Sequence, residues 1–320
     1  MRQIERETFE RLYTLNADTN NVIGKTFPMG RGWYAMLLQF IYTTTGTATT
    51  SEVEGELKAI KNIRIRTSNG ETICDLPGRA LYRIAQLKNG TAPVKDAIAN
   101  AAGTYKVNIP IYFVDESMIN PMDTILDTAR YNAVTVECDM GGTNELYTTI
   151  GSALLSSIQL NVEVVQSATA LPLNVQPQAY ISYIKMQPSD PNTQTYVDIE
   201  RADDLNIKRV YTHSASSATA GLAFSGDNDD AILDIVSIKD NIGYLMKERV
   251  HSMVSADNKL RYGLEAENAG FECHDFVEDG SIVSSIYTGD KSKLRYEWTN
   301  GTVAANDQVS LAVECIRALN

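Results

Sequence analysis

The sequence predicts an all-β protein with a few short helices, built as two β-domains in tandem. Three observations predict it. Many segments alternate apolar and polar residues with a period of two. Turn-forming dipeptides punctuate them. The order of elements is similar on the two sides of an uncharged, proline-bearing stretch.

The alternation is plain in four places. In SIQLNVEVV, Ile158, Leu160, Val162 and Val164 point one way and Gln159, Asn161 and Glu163 the other. In IKNIRIRT, Ile63, Ile65 and Thr67 oppose Arg64 and Arg66. In LRYEW, Leu294, Tyr296 and Trp298 oppose Arg295 and Glu297; in QVSLAVECI, Val309, Leu311, Val313 and Cys315 share a face. Strands with one wet face belong to antiparallel sheets, whereas parallel strands covered on both faces read as continuous apolar runs. Only WYAMLLQFIY (33–42) comes close to such a run.

Asn69-Gly70, Asn89-Gly90, Gly141-Gly142, Asp279-Gly280 and Asn300-Gly301 mark turns. The Ser/Thr/Ala/Gly stretches 43–51 and 212–221 read as loops with little apolar matter to pack.

Helical spacing occurs at Leu81, Ile84, Ala85 and Leu87, and again at Ile242, Leu245, Met246, Val250 and Met253. A third, short helix is expected after Asn120, with Pro121 in its first turn and Met122, Ile125, Leu126 and Ala129 on one face. It lies between the strand patterns VNIPIYFVD and AVTVECDM. Because those flanking strands alternate, it reads as a helix laid across the end of a sandwich rather than a parallel crossover. Pro110 places its strand at an edge or a bulge. The stretch 166–178 is the expected domain boundary. Each side ends in a strand containing Val-Glu-Cys, with Cys138 and Cys315 offset by 177 residues, which suggests a duplication.

Composition narrows the function. A chain of 320 residues with 43% hydrophobic and 21% charged residues is globular and long enough for two cores. A net charge of −12 disfavours direct nucleic-acid binding; Arg64, Arg66, Arg79 and Arg83 come nearest to a basic patch. Four scattered cysteines make neither a zinc site nor a disulfide framework. No apolar run is long enough to span a membrane as a helix, and MRQIERETFERL has no signal core, so a reducing cytoplasm is expected.

No catalytic signature is complete. GKT at 24–26 lacks the P-loop glycine five residues earlier, where Thr19 stands. Cys273, His274 and Asp275 are consecutive, so on a strand they point to opposite faces and form no triad. Asp227, Asp229 and Asp230 sit in one loop without the EF-hand glycine and glutamate. No cofactor is expected, and calcium is carried only as a candidate at this acidic loop. An enzyme is disfavoured.

The succession IKNIRIRTSNG, ALYRIAQL, VNIPIYFVD, PMDTILDTAR, AVTVECDM resembles the first half of a double jelly-roll major capsid protein. The type is that of tailless, lipid-containing icosahedral bacteriophages, the corticoviruses and finnlakeviruses; tectivirus capsid proteins and the adenovirus hexon are more distant. The resemblance covers residues 30 to 165 best and 175 to 320 more loosely.

It implies two tandem eight-stranded jelly rolls: 1–170, an N-terminal helix plus the first jelly roll, and 171–320, the second. It implies a viral structural protein without enzymatic activity. Three copies would form a pseudo-hexameric capsomer tiling an icosahedral shell around an internal membrane. Implied partners are the homotrimer, neighbouring capsomers, and minor vertex and membrane proteins, with no direct nucleic acid. The location is the virion capsid, after synthesis in the host cytoplasm. Arg2, Arg6 and Arg11 on the N-terminal helix are candidate contacts to membrane or neighbour. Two rival readings are a receptor- or carbohydrate-binding β-sandwich, with Trp33, Tyr34 and Tyr42 as its aromatic platform, and a β-sandwich hydrolase with two carboxylates in one cleft.

Overall fold

The structure, a computed structural model, describes residues 4–23, 27, 29–171, 177, 179–200, 205–264, 269–281 and 284–318, with the side chains of 4, 7–12 and 318 left aside. The GKT run at 24–26 and Arg2 lie outside the described residues. The chain forms two compact units. The first holds Met1–Ala85, Ala92–Glu116 and Asn120–Ile181; the second holds Gln86–Thr91, Ser117–Ile119 and Ser182–Asn320.

The elements up to residue 167 are, in order, β1 (Ile4–Leu15), β2 (Asn20–Val22), β3 (Gly32–Thr47), β4 (Thr50–Ser51), α1 (Gly55–Lys58), β5 (Ile60–Thr67), β6 (Thr72–Leu76) and α2 (Gly78–Asn89). They continue with β7 (Ala101–Tyr112), β8 (Leu126–Asp127), β9 (Val134–Met140), α3 (Thr143–Leu146), β10 (Tyr147–Thr149) and β11 (Leu154–Ser167). One sheet runs β1-β11-β3-β7 and the other β2-β9-β5-β6. Taking β1, β2, β3, β5, β6, β7, β9 and β11 as first to eighth, the sheets read 1-8-3-6 and 2-7-4-5. That order is the two interlocked Greek keys of a jelly roll.

The later elements are β12 (Ala179–Lys185), β13 (Tyr196–Asp198), β14 (Leu205–Ser216), β15 (Asp227–Asn228), β16 (Leu233–Asp240), β17 (Tyr244–Val250) and α4 (His251–Tyr262). β18 (Phe271–Asp275), β19 (Ile286–Tyr287), β20 (Leu294–Asn300) and β21 (Gln308–Ala318) follow. Their sheets run β12-β21-β14-β18 and β13-β20-β16-β17. With β12, β13, β14, β16, β17, β18, β20 and β21 as first to eighth, these again read 1-8-3-6 and 2-7-4-5. In each unit the helix between the fifth and sixth strands, α2 or α4, is the longest. The second core draws on both sheets: Val210, Val309, Leu311 and Val313 from one, Val236, Ile238, Tyr296 and Trp298 from the other.

The alternating segments fold as read. Ile158, Leu160, Val162 and Val164 are buried on β11, Ile63 and Ile65 on β5, and Leu294, Tyr296 and Trp298 on β20. β21 differs, because its second face, with Ser310, Ala312 and Glu314, is buried as well. Pro110 sits on β7, an end strand of its sheet, where a missing N–H breaks no ladder. All four cysteines are free and buried.

Several expectations are corrected. Residues 4–15 form no helix; they are the first strand, paired antiparallel with β11 from Ile4↔Ser167 to Leu15↔Ile158. Tertiary pairing overrides the local helical spacing. Residues 4–12 are therefore part of the first sheet. The expected helix after Asn120 is two short 3-10 turns, Pro121–Thr124 and Thr128–Arg130, parted where Ile125 turns extended. Leu126 and Asp127 then pair with β3, and Met122 and Ile125 pack beside Val114 in a satellite cluster.

Ile242–Met253 divides into the strand β17 and the start of α4. Asp240 forces the turn, its carboxylate accepting from the Ile242 and Gly243 amides at 2.8 Å each. Much of the stretches expected as loops extends strands instead, while 217–221 is loop as expected. Thr43 and Thr44 belong to β3, and Thr212 to Ser216 to β14, since β-branched threonine suits a paired backbone. Val-Glu-Cys marks no repeat: Cys138 lies on a seventh strand and Cys315 on an eighth.

Gly46 ends the long run of β3 at φ 72°, where a Cβ would stand 2.1 Å from the Ser152 carbonyl oxygen. Gly46→Ala should therefore cost about 1–3 kcal/mol, read as a lowered denaturation midpoint, with no change in far-UV circular dichroism.

Candidate functional site

Titratable side chains concentrate in the second unit, on the two faces of β18. Pairing with β14 fixes their directions. Cys273 and Asp275 flank Tyr211 and Arg209 on one face; Glu272 and His274 flank Thr212 and Val210 on the other, toward the core. The consecutive trio is thus split, as strand geometry requires.

On the first face β14 carries a bulge at Lys208, which turns both Lys208 and Arg209 off the core row. Three cations converge on the fully buried Glu314 of β21. Lys88 lies 2.9 Å from its Oε1, Arg209 3.4 Å and Lys208 3.5 Å. Tyr211 donates to its Oε2 at 2.7 Å. Arg209 also grips Asp275 at 2.7 Å and donates to Ser117 Oγ at 2.9 Å. Lys88 donates to the Tyr183 hydroxyl at 2.8 Å. Burial, reinforced by Glu314, pushes the Tyr211 phenol well above its usual value. Burial pushes the Cys273 thiol up to about 12, although Arg209 pulls the other way. A thiol so protonated is no nucleophile at neutral pH.

On the core face His251, at the start of α4, places Nε2 2.8 Å from Glu272 Oε2. The contact is an ion pair rather than an aligned hydrogen bond, since neither atom finds good hydrogen-bond geometry. Ser255 donates to the other Glu272 oxygen at 2.9 Å. Burial alone lowers the His251 pKa, but Glu272 outweighs it and the net shift is upward. The His274 ring lies tilted against Tyr296, and burial, with His251 adding to it, holds its pKa down at about 3. It is neither a base in reach of Cys273 nor an acid. Asn258 of α4 pairs both backbone groups of Cys273, donating to its carbonyl at 2.8 Å and accepting from its N–H at 2.6 Å. The arrangement fastens helix to sheet. Sequence reading missed it because Glu314, Lys208 and Glu272 look like wet-face residues until both faces of the strand are covered.

The other candidates separate. Arg6 is 71% exposed and 3.9 Å from Glu163; Arg11 lies on β1 with its side chain outside the description. Arg64 is held by Glu137 at 2.9 Å, and Arg79 and Arg83 both by Glu54, so the basic patch is largely neutralised. Asp227 pairs in β15, and Asp229 accepts from the Ala231 amide at 3.0 Å. Among the described residues no three His, Cys, Asp or Glu side chains converge as a metal site. Trp33 and Tyr42 are fully buried and Tyr34 is partly buried against the Val114, Met122 and Ile125 cluster, so the three do not form an exposed aromatic platform. A cleft of about 510 Å3 includes Met186, Asp198, Glu200, Lys293 and Arg295. Arg295 is engaged with Asp198 at 2.6 Å and lies over the Tyr196 ring.

Glu314→Gln should destabilise the protein by about 3–5 kcal/mol, because it strands buried cations; chemical denaturation measures it. The two histidines act oppositely with pH. The raised His251 pKa gives stability that is complete below about 6.5 and fades as pH rises through the folded value. The depressed His274 pKa removes stability as pH falls from about 6.5 toward 3. Melting His274→Phe against the parent should show a flattened acid limb, and His251→Gln a weaker loss on the alkaline side.

No family model matches the chain, and no curated protein matches it in sequence. Solved structures do match in fold. The major capsid protein of bacteriophage PM2 aligns over 99% of this chain and 98% of its own, with TM-score 0.64 and 12% identity. The major capsid protein of Sulfolobus Turreted Icosahedral Virus aligns over 99% and 97%, with TM-score 0.71 and 11% identity. The Faustovirus major capsid protein aligns over 100% and 91%, with TM-score 0.61 and 9% identity. At such identities the likeness is one of architecture, and it agrees with the strand order found in both units: this chain has the double jelly-roll fold.

Proposed function

We propose that this chain is the major capsid protein of an icosahedral virus, with its jelly rolls, 1–170 and 171–320, as two lobes of one subunit. The observation that carries the reading is the repeated 1-8-3-6 and 2-7-4-5 order, matched along the whole chain by capsid proteins. Three subunits would present six similar lobes, a near-hexagonal tile for an icosahedral facet. The partners are further copies, neighbouring capsomers, and minor vertex and membrane proteins around an internal membrane. Synthesis is in the host cytoplasm and the destination is the virion.

The role is assembly rather than turnover. Tyr211, Cys273 and His274 are buried and shifted toward their neutral forms. The charge of −12 suits a shell separated from its genome by lipid. Calcium at Asp227 to Asp230 would need oxygen ligands from a neighbouring subunit. Arg6 remains a candidate contact on the first strand.

Light scattering of the purified protein should give roughly 106 kDa, three times the chain mass of 35.3 kDa. A protein that stays at 35.3 kDa when concentrated would overturn the reading.

A further inference from the structure

Most helices of a globular protein are held by an apolar stripe. α4 is held otherwise. Of its 12 residues only His251, Val254, Ser255 and Asn258 are buried, so Val254 is its one buried apolar side chain. Polar contacts to β18 take the place of the stripe. β18 has β14 as its one strand neighbour among the described residues, and α4 crosses its free edge. His251 and Ser255 both reach the Glu272 carboxylate, at 2.8 and 2.9 Å. Asn258 pairs both backbone groups of Cys273. Tyr262 brings its hydroxyl to 3.2 Å from Asp275 Oδ2 and 3.3 Å from Cys273 Sγ. A segment with few buried apolar contacts opens locally, ahead of the domain that carries it.

The row depends on one proton. Glu272 is fully buried, and among the described residues His251 is the one cation in contact with it. Glu272 Oε2 stands at Nε2, and the Asp230 main chain, which also favours the charged ring, lies against the imidazole. A histidinium has an N–H for each. A neutral imidazole has one and must turn a lone pair toward the other oxygen. The helix itself opposes the charge, since His251 lies in its first turn, where the macrodipole favours anions, and no side chain caps that turn. The charge is therefore kept there by its partners on other elements.

The other charged groups on the elements packed against α4 are engaged or turned to solvent. On β17, Arg249 pairs with Asp257 of α4 at 3.1 Å, and Lys247 and Glu248 are exposed. On β16, Asp234 is exposed, Lys239 is tied to Glu297 at 2.8 Å and Asp240 to Lys291 at 3.3 Å. On β18, Asp275 is held by Arg209 at 2.7 Å on the opposite face from Glu272. On α4, Arg261 is tied to Glu278 at 2.6 Å. Burial pushes the Cys273 thiol up to about 12 and the Tyr262 phenol up as well, and it holds His274 at about 3. None of these three changes form between about pH 6 and 9.

We infer that the proton on His251 is a latch: while it is held, α4 lies fastened along the free edge of β18, and when it leaves, the helix lifts from the strand and uncovers Cys273. The hinges are the two ends of α4. Val250 is extended, at ψ 128°, and Gly263 takes φ 62°, which glycine adopts without strain. The direction follows from the net upward shift of His251. The fastening is complete below about pH 6.5 and is lost as pH rises through the folded value. The opening is local, because the pairing of β14 with β21 does not pass through α4. The inference concerns the second unit alone and holds whether or not the chain builds a shell.

Native-state alkylation of the full-length protein tests it. Cys74, Cys138, Cys273 and Cys315 are all free and buried, so three thiols serve as controls for the fourth. The protein is treated with iodoacetamide at about pH 6 and about pH 9, and peptide mass identifies the thiol modified. Each rate is divided by that of the same thiol in the denatured chain at the same pH, which removes the chemistry of the thiol itself. Cys273 should react about tenfold faster or more at the higher pH, while Cys74, Cys138 and Cys315 stay protected. Glu272→Gln leaves no buried charge for the proton to answer, so its Cys273 should be equally protected at both. His251→Gln has no proton to lose, so its Cys273 should be open at both; if this variant does not fold, Glu272→Gln decides. A parent whose Cys273 is as protected at the higher pH as at the lower would overturn the inference. So would Cys315 of the same unit rising together with Cys273, which marks loss of the whole unit, or a Glu272→Gln variant that keeps the parent's response.

Discussion

The structure depends on where the eighth strand of each unit lies. β11 enters between β1 and β3, and β21 between β12 and β14, so the last strand of each unit joins its first to its third. The pairing reaches from Ile4 opposite Ser167 to Gln166 opposite Trp33. With that insertion the other neighbours follow, because seven strands joined by short connections have few ways left to pair without crossing. It also decides which strands stand last in each unit's four-strand orders, the first and sixth in one and the second and fifth in the other.

A strand so central is costly to make from polar residues, yet β21 carries Glu314 at full burial. The chain answers with Lys88, Lys208, Arg209 and Tyr211 around one carboxylate. Such a network contributes little net stability over an apolar replacement, but it has few alternative arrangements. It fixes the register of β14 against β21 at the bulge that carries Lys208. Strongly shifted groups often signal chemistry. Here the shifts run the other way: Cys273 and Tyr211 are pushed toward their neutral forms, and His274 is kept neutral as well.

Much of this was legible in the sequence. Ile158 to Val164 and Leu294 to Trp298 showed their strands because one face is wetter than the other, and Leu81 to Leu87 showed a helix for the same reason. Legibility failed where that contrast vanished. β21 is dry on both sides, so the burial of Glu314 left no trace in its pattern. Residues 244–250 carry helical spacing by accident, and pairing with β16 makes a strand there; pairing with β11 likewise makes a strand of residues 4–15, where the resemblance implied a helix. Threonine and serine at 43–47 and 212–216 are loop formers by composition and strand formers by pairing. The buried network was invisible, since Lys88, Arg209, Asp275 and Glu314 are scattered over more than two hundred positions and meet only in the fold.

Inserting the eighth strand last has a kinetic consequence. During synthesis, β12 and β14 must wait for residues 308–318 before the strand that separates them exists. Until then Val210, Thr212 and their neighbours line a sheet with a missing centre. Such high contact order slows folding, and the interval exposes apolar backbone edges to other nascent chains. Lys208 and Arg209 bring positive charge to that open sheet before Glu314 is made, and charge on an unfinished edge discourages premature pairing with its own kind.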